Sequence, residues 1–272
     1  MTDLIKFIKR KAKNRLKRIV KSVFKNHIYV AKHGLARGFK VTGDLGFLRH
    51  LPLSHEDRFF MSLDLAGKTV YDVGSHIGII TLFFSRATGE TGKVISFEPN
   101  PETFAILCKN VDMNGLTNVK LVNIALGEER GTLPLVFGEY DAGLGTLDRA
   151  IQIDLLHNKR GIKPKTRLVE VYPLDEYILV GSLPDPDFVK IDVEGYEYNI
   201  LLGMQDTIRR CKPALLVEMH GMDEKQRLEN TRKVVKLLAS YDYELKEMIS
   251  EQAISESNIE LILKRPYTLT CK

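Results

Sequence analysis

From Thr69 onward, short runs rich in β-branched residues alternate with longer stretches of helical periodicity, and this alternation restricts the fold more than any other feature of the chain. A strand that returns to the same sheet through a helix runs parallel to its predecessor, so the pattern predicts a parallel sheet covered by helices on both faces. The spacing predicts strands over 69–73, 93–97, 119–124, 188–191 and 214–219, with helices over 77–87, 102–114, 197–209 and 225–240. Two further runs, 243–248 and 260–263, lie too close together for a helical crossover and should pair antiparallel at a sheet edge. A strand pair over 131–137 and 167–171 flanks the polar stretch 138–165, whose Gly143, Gly145 and Gly161 suit a substrate-side loop. The expected architecture is α/β: a Rossmann-like seven-stranded sheet over residues 66–272, mostly parallel with the last strand antiparallel.

Charge divides the chain unevenly. Ten of the 40 basic residues fall within the first 26 positions against one acidic residue, Asp3, so this arm carries +9 and the remainder −4. Leu4, Ile8, Ala12, Leu16, Ile19 and Val23 recur at intervals of three and four, which predicts a basic amphipathic helical extension over 1–26. Three readings compete for it: a solvated helix packed on the body, a peripheral membrane contact lying in the plane of anionic lipid, and a nucleic-acid arm. Residues 27–65 read as a connecting and lid region, with a short helix near 54–65 capped by Ser54 and carrying Glu56 and Asp57 in its first turn. Cys108, Cys211 and Cys271 show no CxxC spacing, which argues against a disulfide framework or a structural zinc site and makes a cytoplasmic location the expectation. No run approaches the ~18 apolar residues of a membrane span, and no signal-peptide pattern is expected. No uncommitted apolar stripe beyond the arm indicates an oligomeric state.

Two motifs point to a nucleoside. In Asp72-Val73-Gly74-Ser75-His76-Ile77-Gly78, a strand ends and a helix begins, and Gly74 lets the backbone turn and approach a ligand closely. Gly78 stands at the wrong spacing for GxGxxG, and an Asp at this turn suits a cationic or hydroxyl-bearing ligand better than a pyrophosphate. Glu98 closes the second strand about 20 residues later, where a carboxylate can accept both hydroxyl protons of a ribose. The plain alternatives are a glycine needed only for helix–strand packing and a Glu98 that caps the helix opened by Pro101.

The blocks VYDVGSHIG, VISFEPNPETFAILCKNVDMNG, VNIALGEERGTLPL, PLDEYI, DFVKIDVEGYEYNILLGM and PALLVEMHG, over residues 70–221, resemble the FkbM-type S-adenosylmethionine-dependent methyltransferases. The resemblance implies the class I methyltransferase fold, S-adenosylmethionine as cofactor, and O-methylation, in this family often of sugar hydroxyls or polyketide-type natural products. It further implies that Asp72 and Gly74 line the methionine and ribose part of the cofactor and that Glu98 holds the ribose hydroxyls. Asn123 and Ala125 would border the adenine, and Asn100 would support that pocket. His76 departs from the family's usual small polar residue, and its larger ring reads as structural.

A third motif, Lys190-Ile191-Asp192-Val193-Glu194-Gly195-Tyr196-Glu197, ends the fourth strand. Asp192 and Glu194 share one face by the period of two, and Glu218 and His220 do the same on the next strand, so four ionisable groups converge on one rim. Displacement at a sulfonium methyl depends first on alignment and second on a base that takes the acceptor's proton. Asp192 or His220 is the expected base, with Glu194 and Glu218 positioning the acceptor or orienting the histidine. Asp192, Glu218 and His220 could instead hold a hard cation such as magnesium, but no metal is expected. For Glu194, Glu197 and Lys190 the plain alternative is capping and surface pairing.

The expected acceptor is therefore a hydroxyl on a glycan, glycolipid or natural product. An RNA or nucleic-acid methyltransferase competes because the arm is basic. Against it, the fourth strand lacks an Asn/Asp-Pro-Pro-aromatic motif to stack a flipped base, Trp is absent and aromatics make up only 8%. A non-catalytic interaction protein that keeps the fold is the third reading, and retention of Asp72, Gly74, Glu98, Asp192 and Glu194 together argues against it.

Overall fold

The computed structural model describes residues 24, 26–44, 53–138, 141–157, 163–263 and 267–272. The basic arm falls almost wholly outside the described residues. The chain then forms a small antiparallel pair, β1 (Tyr29–Val30) and β2 (Lys40–Val41), followed by helix α1 (His55–Ser62). Ser54 caps α1 through a capping box: its hydroxyl accepts from the Asp57 N–H and Asp57 accepts from the Ser54 N–H, each at 2.9 Å. Phe60, fully buried, seats α1 on the body.

The alternating region follows the expected order: β3 (Thr69–Val73), α2 (Ile79–Thr88), β4 (Lys93–Phe97), α3 (Pro101–Asp112) and β5 (Val119–Val122). Then come β6 (Ala125–Leu126), β7 (Gly131–Gly138), β8 (Asp141–Thr146), α4 (Arg149–Leu156), β9 (Pro164–Tyr172) and α5 (Leu174–Gly181). The chain closes with β10 (Phe188–Ile191), α6 (Glu197–Leu202), α7 (Gln205–Cys211), β11 (Ala214–Glu218), α8 (Glu224–Ala239), β12 (Leu245–Glu247), a 3₁₀ turn over Ile259–Leu263, and β13 (Thr268–Cys271). The main sheet has seven strands in the order β12-β13-β11-β10-β3-β4-β5, with β13 antiparallel to both neighbours. This is the class I methyltransferase sheet. Strand order reverses between β3 and β10, and the carboxyl ends of these adjacent strands open the crevice where ligands of such sheets bind.

Pleating assigns the faces. Tyr71, Val73, Val189 and Ile191 enter the larger core, whereas Val70, Val94 and Phe188 pack with Phe60, Phe83 and Phe84 on the opposite face. On that second face Asp72 lies opposite both Ser96 and Lys190, so a polar row crosses β4, β3 and β10 within an apolar surface.

Three expectations are corrected. The last strand is Thr268–Cys271, not 260–263, because Ile259 and Ile262 are both buried, at the three-residue spacing of a 3₁₀ turn rather than the alternation of a strand. The helix expected over 197–209 breaks at Gly203, where a Cβ would stand 1.9 Å from the Gly127 carbonyl oxygen. The polar stretch holds structure of its own, β8 and α4, and β8 joins β7, β9 and β6 in a second sheet. The short helix α5, which the sequence reading passed over, carries the crossover into β10.

Candidate active site

A cleft of about 270 Å³ lies over the carboxyl ends of β3, β4 and β10. One wall is Gly74, His76, Glu98, Asn100, Ile124, Ala125, Leu126 and Leu135, and the other includes Asp192, Glu194, Glu218 and His220. Gly145 and Leu147 from the former polar stretch also line it.

The first wall is built by backbone hydrogen bonds. After β3 the chain turns at Gly74 (φ +81°), where a Cβ would stand 1.9 Å from the Asp192 carbonyl oxygen, so a side chain here is excluded by contact as well as by conformation. His76 also adopts positive φ, at 50°, and its N–H donates to Glu98 Oε2 at 2.9 Å. The Asn100 N–H donates to Glu98 Oε1 at 2.9 Å, which fixes the carboxylate from two sides. Burial, working against these bonds and the field of Lys190, lifts the Glu98 pKa to about 7. The cap of α3 is Asn100, whose Oδ1 accepts from the Glu102 N–H, so Glu98 is not the capping residue. Asn123 is exposed and does not line the cleft, but it donates from Nδ2 to the Glu98 and Pro99 carbonyls at 2.7 and 3.2 Å.

Asp72 does not reach the cleft surface. It is fully buried beneath the Gly74 turn, accepts from the Thr81 hydroxyl at 2.6 Å, and faces Lys190 Nζ at 3.4 Å. Gly78 likewise serves packing at the start of α2, where a Cβ would stand 2.4 Å from Leu107 Cδ1. Lys190 is 2% exposed, which overturns surface pairing as its role. Its ammonium lies 3.2 Å from Asp192 Oδ2 and donates to the Gly74 carbonyl at 3.2 Å, so one cation joins the turn to the rim. Burial opposes that charge, but Asp192 and Asp72 outweigh it and hold the ammonium form above the ordinary lysine range.

The second wall surrounds His220. Its Nδ1 lies 2.8 Å from Glu197 Oε1, while Nε2 lies 3.5 Å from Glu218, 3.7 Å from Asp192 and 3.9 Å from Glu194. Glu197 is fully buried and also accepts from the Gly195 N–H at 2.9 Å, so it too is not a surface pair. Burial disfavours charge on the ring, yet the bonds to Glu197 and Glu218 and the field of Asp192 prevail, and His220 is held well above its ordinary range as imidazolium. The same pairing resolves the carboxylates. Burial would raise Asp192, but Lys190 and His220 hold it below the usual range, whereas burial lifts Glu194 to about 7. Glu194 sits at φ +53°, with its carbonyl accepting from the Thr146 hydroxyl at 2.6 Å. The donor atoms of Asp192, Glu218 and His220 lie within 4.8 Å of one another, a spacing that could accommodate a cation.

The Methyltransferase FkbM domain matches residues 72–245, well over half of the chain. The chain belongs to the FkbM methyltransferase family. This FkbM chain is 25% identical over 224 residues to the hexuronic acid methyltransferase AglP of Haloferax volcanii, covering 76% of the chain and 86% of that protein. It is 29% identical over 146 residues to Methyltransferase 1 of Beauveria bassiana, covering 50% of the chain and 58% of that protein. With Methyltransferase sdnD of Sordaria araneosa it shares 30% identity over 158 residues, covering 50% of the chain and 60% of that relative. The crystal structure of an FkbM methyltransferase from Methylobacillus flagellatus superposes with a TM-score of 0.47 at 18% identity, covering 78% of the chain and 45% of that structure.

The FkbM domain is an S-adenosylmethionine-dependent methyltransferase domain, and the first wall fits that cofactor. Glu98 offers acceptor oxygens for hydroxyl protons, and Asn100 Nδ2 is buried with no hydrogen-bond partner among the described residues. Beside them Ile124, Ala125 and Leu126 supply apolar surface for a base. A carboxylate, a spare amide donor and an apolar strip are what a nucleoside requires.

Proposed function

We propose that the protein transfers the methyl group of S-adenosylmethionine to a hydroxyl oxygen, most readily on a sugar of a glycan or glycolipid, with a natural-product alcohol as the other acceptor class. The observation that carries this reading is the joining of two walls in one cleft: a nucleoside-compatible wall at Glu98 and an ionisable rim at Asp192, Glu194, Glu218 and His220. Similarity to a hexuronic acid methyltransferase along 76% of the chain supports a sugar acceptor.

Bound in the cleft, S-adenosylmethionine supplies an electrophilic methyl carbon for in-line displacement. Glu98 and Asn100 hold the ribose side, with Asn123 bracing the Glu98–Pro99 backbone through its amide, while Ala125 borders the base. Gly74 and His76 border the remainder of the cofactor, and Asp72 and Gly78 act from beneath by fixing the turn. Alignment of an acceptor hydroxyl by the rim is the largest contribution, up to roughly 7–11 kcal/mol. Glu194 takes the hydroxyl proton, because its pKa of about 7 matches neutral pH, and this step contributes about 10² to 10⁴ in rate. Asp192, held ionised by Lys190 and His220, orients the acceptor together with Glu218. His220, held as a cation, has no lone pair to serve as base and instead acts as counter-charge to the four carboxyl groups around it.

The test is transfer of a labelled methyl group from S-adenosylmethionine into a host extract separated into glycolipid, soluble small-molecule, RNA and protein fractions. Label in the glycolipid or soluble fraction, lost in Glu98→Ala and Asp192→Asn, is the expected result. Label in RNA would refute the glycan, glycolipid or natural-product acceptor. The arm over 1–26, as a peripheral contact with anionic lipid, would bring the site to a glycolipid; co-sedimentation with anionic but not neutral vesicles tests this, and equal binding to both refutes it.

A further inference from the structure

Glu194 lines the cleft from a backbone conformation that a residue with a side chain rarely adopts: its φ is +53°, and Gly195 after it has φ +100°. Such a conformation persists where the surroundings over-determine it. Here they act on the one peptide that joins the two residues. Its carbonyl accepts from the Thr146 hydroxyl at 2.6 Å, and its N–H donates to Glu197 Oε1 at 2.9 Å. Both polar ends of a single peptide plane are tied, so the plane turns only by breaking both bonds. Thr146 is built to hold the carbonyl end. It is fully buried at the end of β8, between Gly145 and Leu147, which both line the cleft. By the alternation of a strand its side chain points the other way, toward the loop after β10. Its oxygen also accepts from the Asp148 N–H at 2.9 Å, which occupies a lone pair and leaves the hydroxyl proton for the Glu194 carbonyl. The Thr146 carbonyl accepts from Gln152 Nε2 at 3.2 Å, and a Cβ on Gly195 would stand 2.6 Å from Ile151 Cδ1, so α4 packs against the same peptide.

We propose that Thr146 is a positioning residue for the base: its hydroxyl holds the Glu194–Gly195 peptide in the orientation that keeps the Glu194 carboxyl on the wall of the cleft. Removing that hydroxyl deprives the Glu194 carbonyl and the Asp148 N–H of this partner and frees the peptide to turn. The strand end that offers Gly145 and Leu147 as cleft surface therefore also sets the carboxyl that takes the proton. The same peptide continues through Glu197 to His220 Nδ1, 2.8 Å from Glu197 Oε1, so the bonds that fix Glu194 and those that fix the histidine form one chain. That Glu194 acts as base rests on the methyl-transfer reading of the cleft, whereas the placement of its carboxyl by Thr146 does not.

The experiment compares full-chain Thr146→Val and Thr146→Ala, which lack the hydroxyl, with Thr146→Ser, which keeps it, by crystal structures with S-adenosylhomocysteine and by labelled methyl transfer into the host glycolipid and soluble fractions with S-adenosylmethionine varied. In the variants without the hydroxyl the Glu194–Gly195 peptide should turn and the carboxyl leave its wild-type place. Apparent kcat should fall about ten- to a hundredfold while KM for S-adenosylmethionine holds, and Thr146→Ser should restore both the position and the rate. A wild-type place for the Glu194 carboxyl in Thr146→Val or Thr146→Ala overturns the proposal, as does a loss that Thr146→Ser does not restore. Failure of both hydroxyl-free variants to fold, read by melting temperature, overturns it too, because the hydroxyl would then serve the fold and not the base. The two readings fail separately. Absence of transfer by wild type, with the displaced carboxyl seen in the crystals, defeats the function but not the placement by Thr146, while wild-type transfer undiminished in Thr146→Val does the reverse.

Discussion

Replacing Lys190 with Met keeps the length of the stem and removes the charge. In the native protein this ammonium, 2% exposed, lies 3.4 Å from Asp72, 3.2 Å from Asp192 and 3.2 Å from the Gly74 carbonyl. Asp72 Oδ1 has no hydrogen-bond donor among the described residues, and its carboxylate is fully buried, so the ammonium supplies its compensating charge. Breaking a buried ion pair by removing one partner costs about 3–5 kcal/mol, since the remaining charge is left unpaired. For a chain of this size that lowers Tm by roughly 6–20 °C, at about 2–4 °C per kcal/mol. Guanidinium denaturation followed by circular dichroism measures the loss directly. Adding Asp72→Asn should recover part of it, with a coupling of at least about 1 kcal/mol, because the orphaned charge is then gone. A loss below about 1 kcal/mol for Lys190→Met, or strict additivity in the double variant, would refute the account of Lys190 as the cation that holds the turn to the rim.

The pH dependence of transfer follows from Glu194: activity should rise as pH passes through about 7, and Glu194→Gln should lose that limb along with about 10²- to 10⁴-fold in rate, whereas an unchanged profile would remove Glu194 as the base. Glu98→Gln should weaken S-adenosylmethionine binding about tenfold or more by calorimetry, and unaltered affinity would exclude a ribose contact. The folded pKa of Glu98 is raised from 4.5 to about 7, so the native state holds the extra proton between these values, and its contribution, on the order of 3 kcal/mol, is present below pH 4.5 and lost as pH rises toward 7. Thermal scans across that window should therefore show a smaller decline in Glu98→Gln than in wild type. Gly74→Ala places a methyl 1.9 Å from the Asp192 carbonyl oxygen and should be strongly destabilised, so wild-type Tm in that variant would contradict the close approach. His220 should remain protonated by nitrogen-detected NMR through neutral pH and shift downward in Glu197→Gln, and a wild-type midpoint near 6.5 would overturn its assignment as a fixed cation.

The strands were legible because β-branched runs bounded by turn residues carry local information, and β3, β4 and β10 match the expected spans residue for residue. Features set by tertiary contact were not. Gly203 breaks a helix-compatible stretch because Gly127 passes against it, and no local signal marks that approach. The polar row of Ser96, Asp72 and Lys190 depends on register between strands far apart in sequence, so Lys190 read as an ordinary surface charge.

The rim shows why residue type alone does not assign a base. Asp192 and Glu194 are two residues apart and line the same cleft, yet they titrate in opposite directions. The difference lies in their cations: Asp192 has Lys190 at 3.2 Å and His220 at 3.7 Å, whereas among the described residues Glu194 has only His220, at 3.9 Å. Environments that push neighbouring carboxyl groups apart also divide their roles, and here the division leaves Glu194 with the affinity for a proton that acceptor deprotonation at neutral pH requires. His220 was a candidate base by its type, but the hydrogen bonds to Glu197 and Glu218 and the field of Asp192 raise its pKa above the ordinary range, which is why the proposed mechanism casts it as a counter-charge and not as the base.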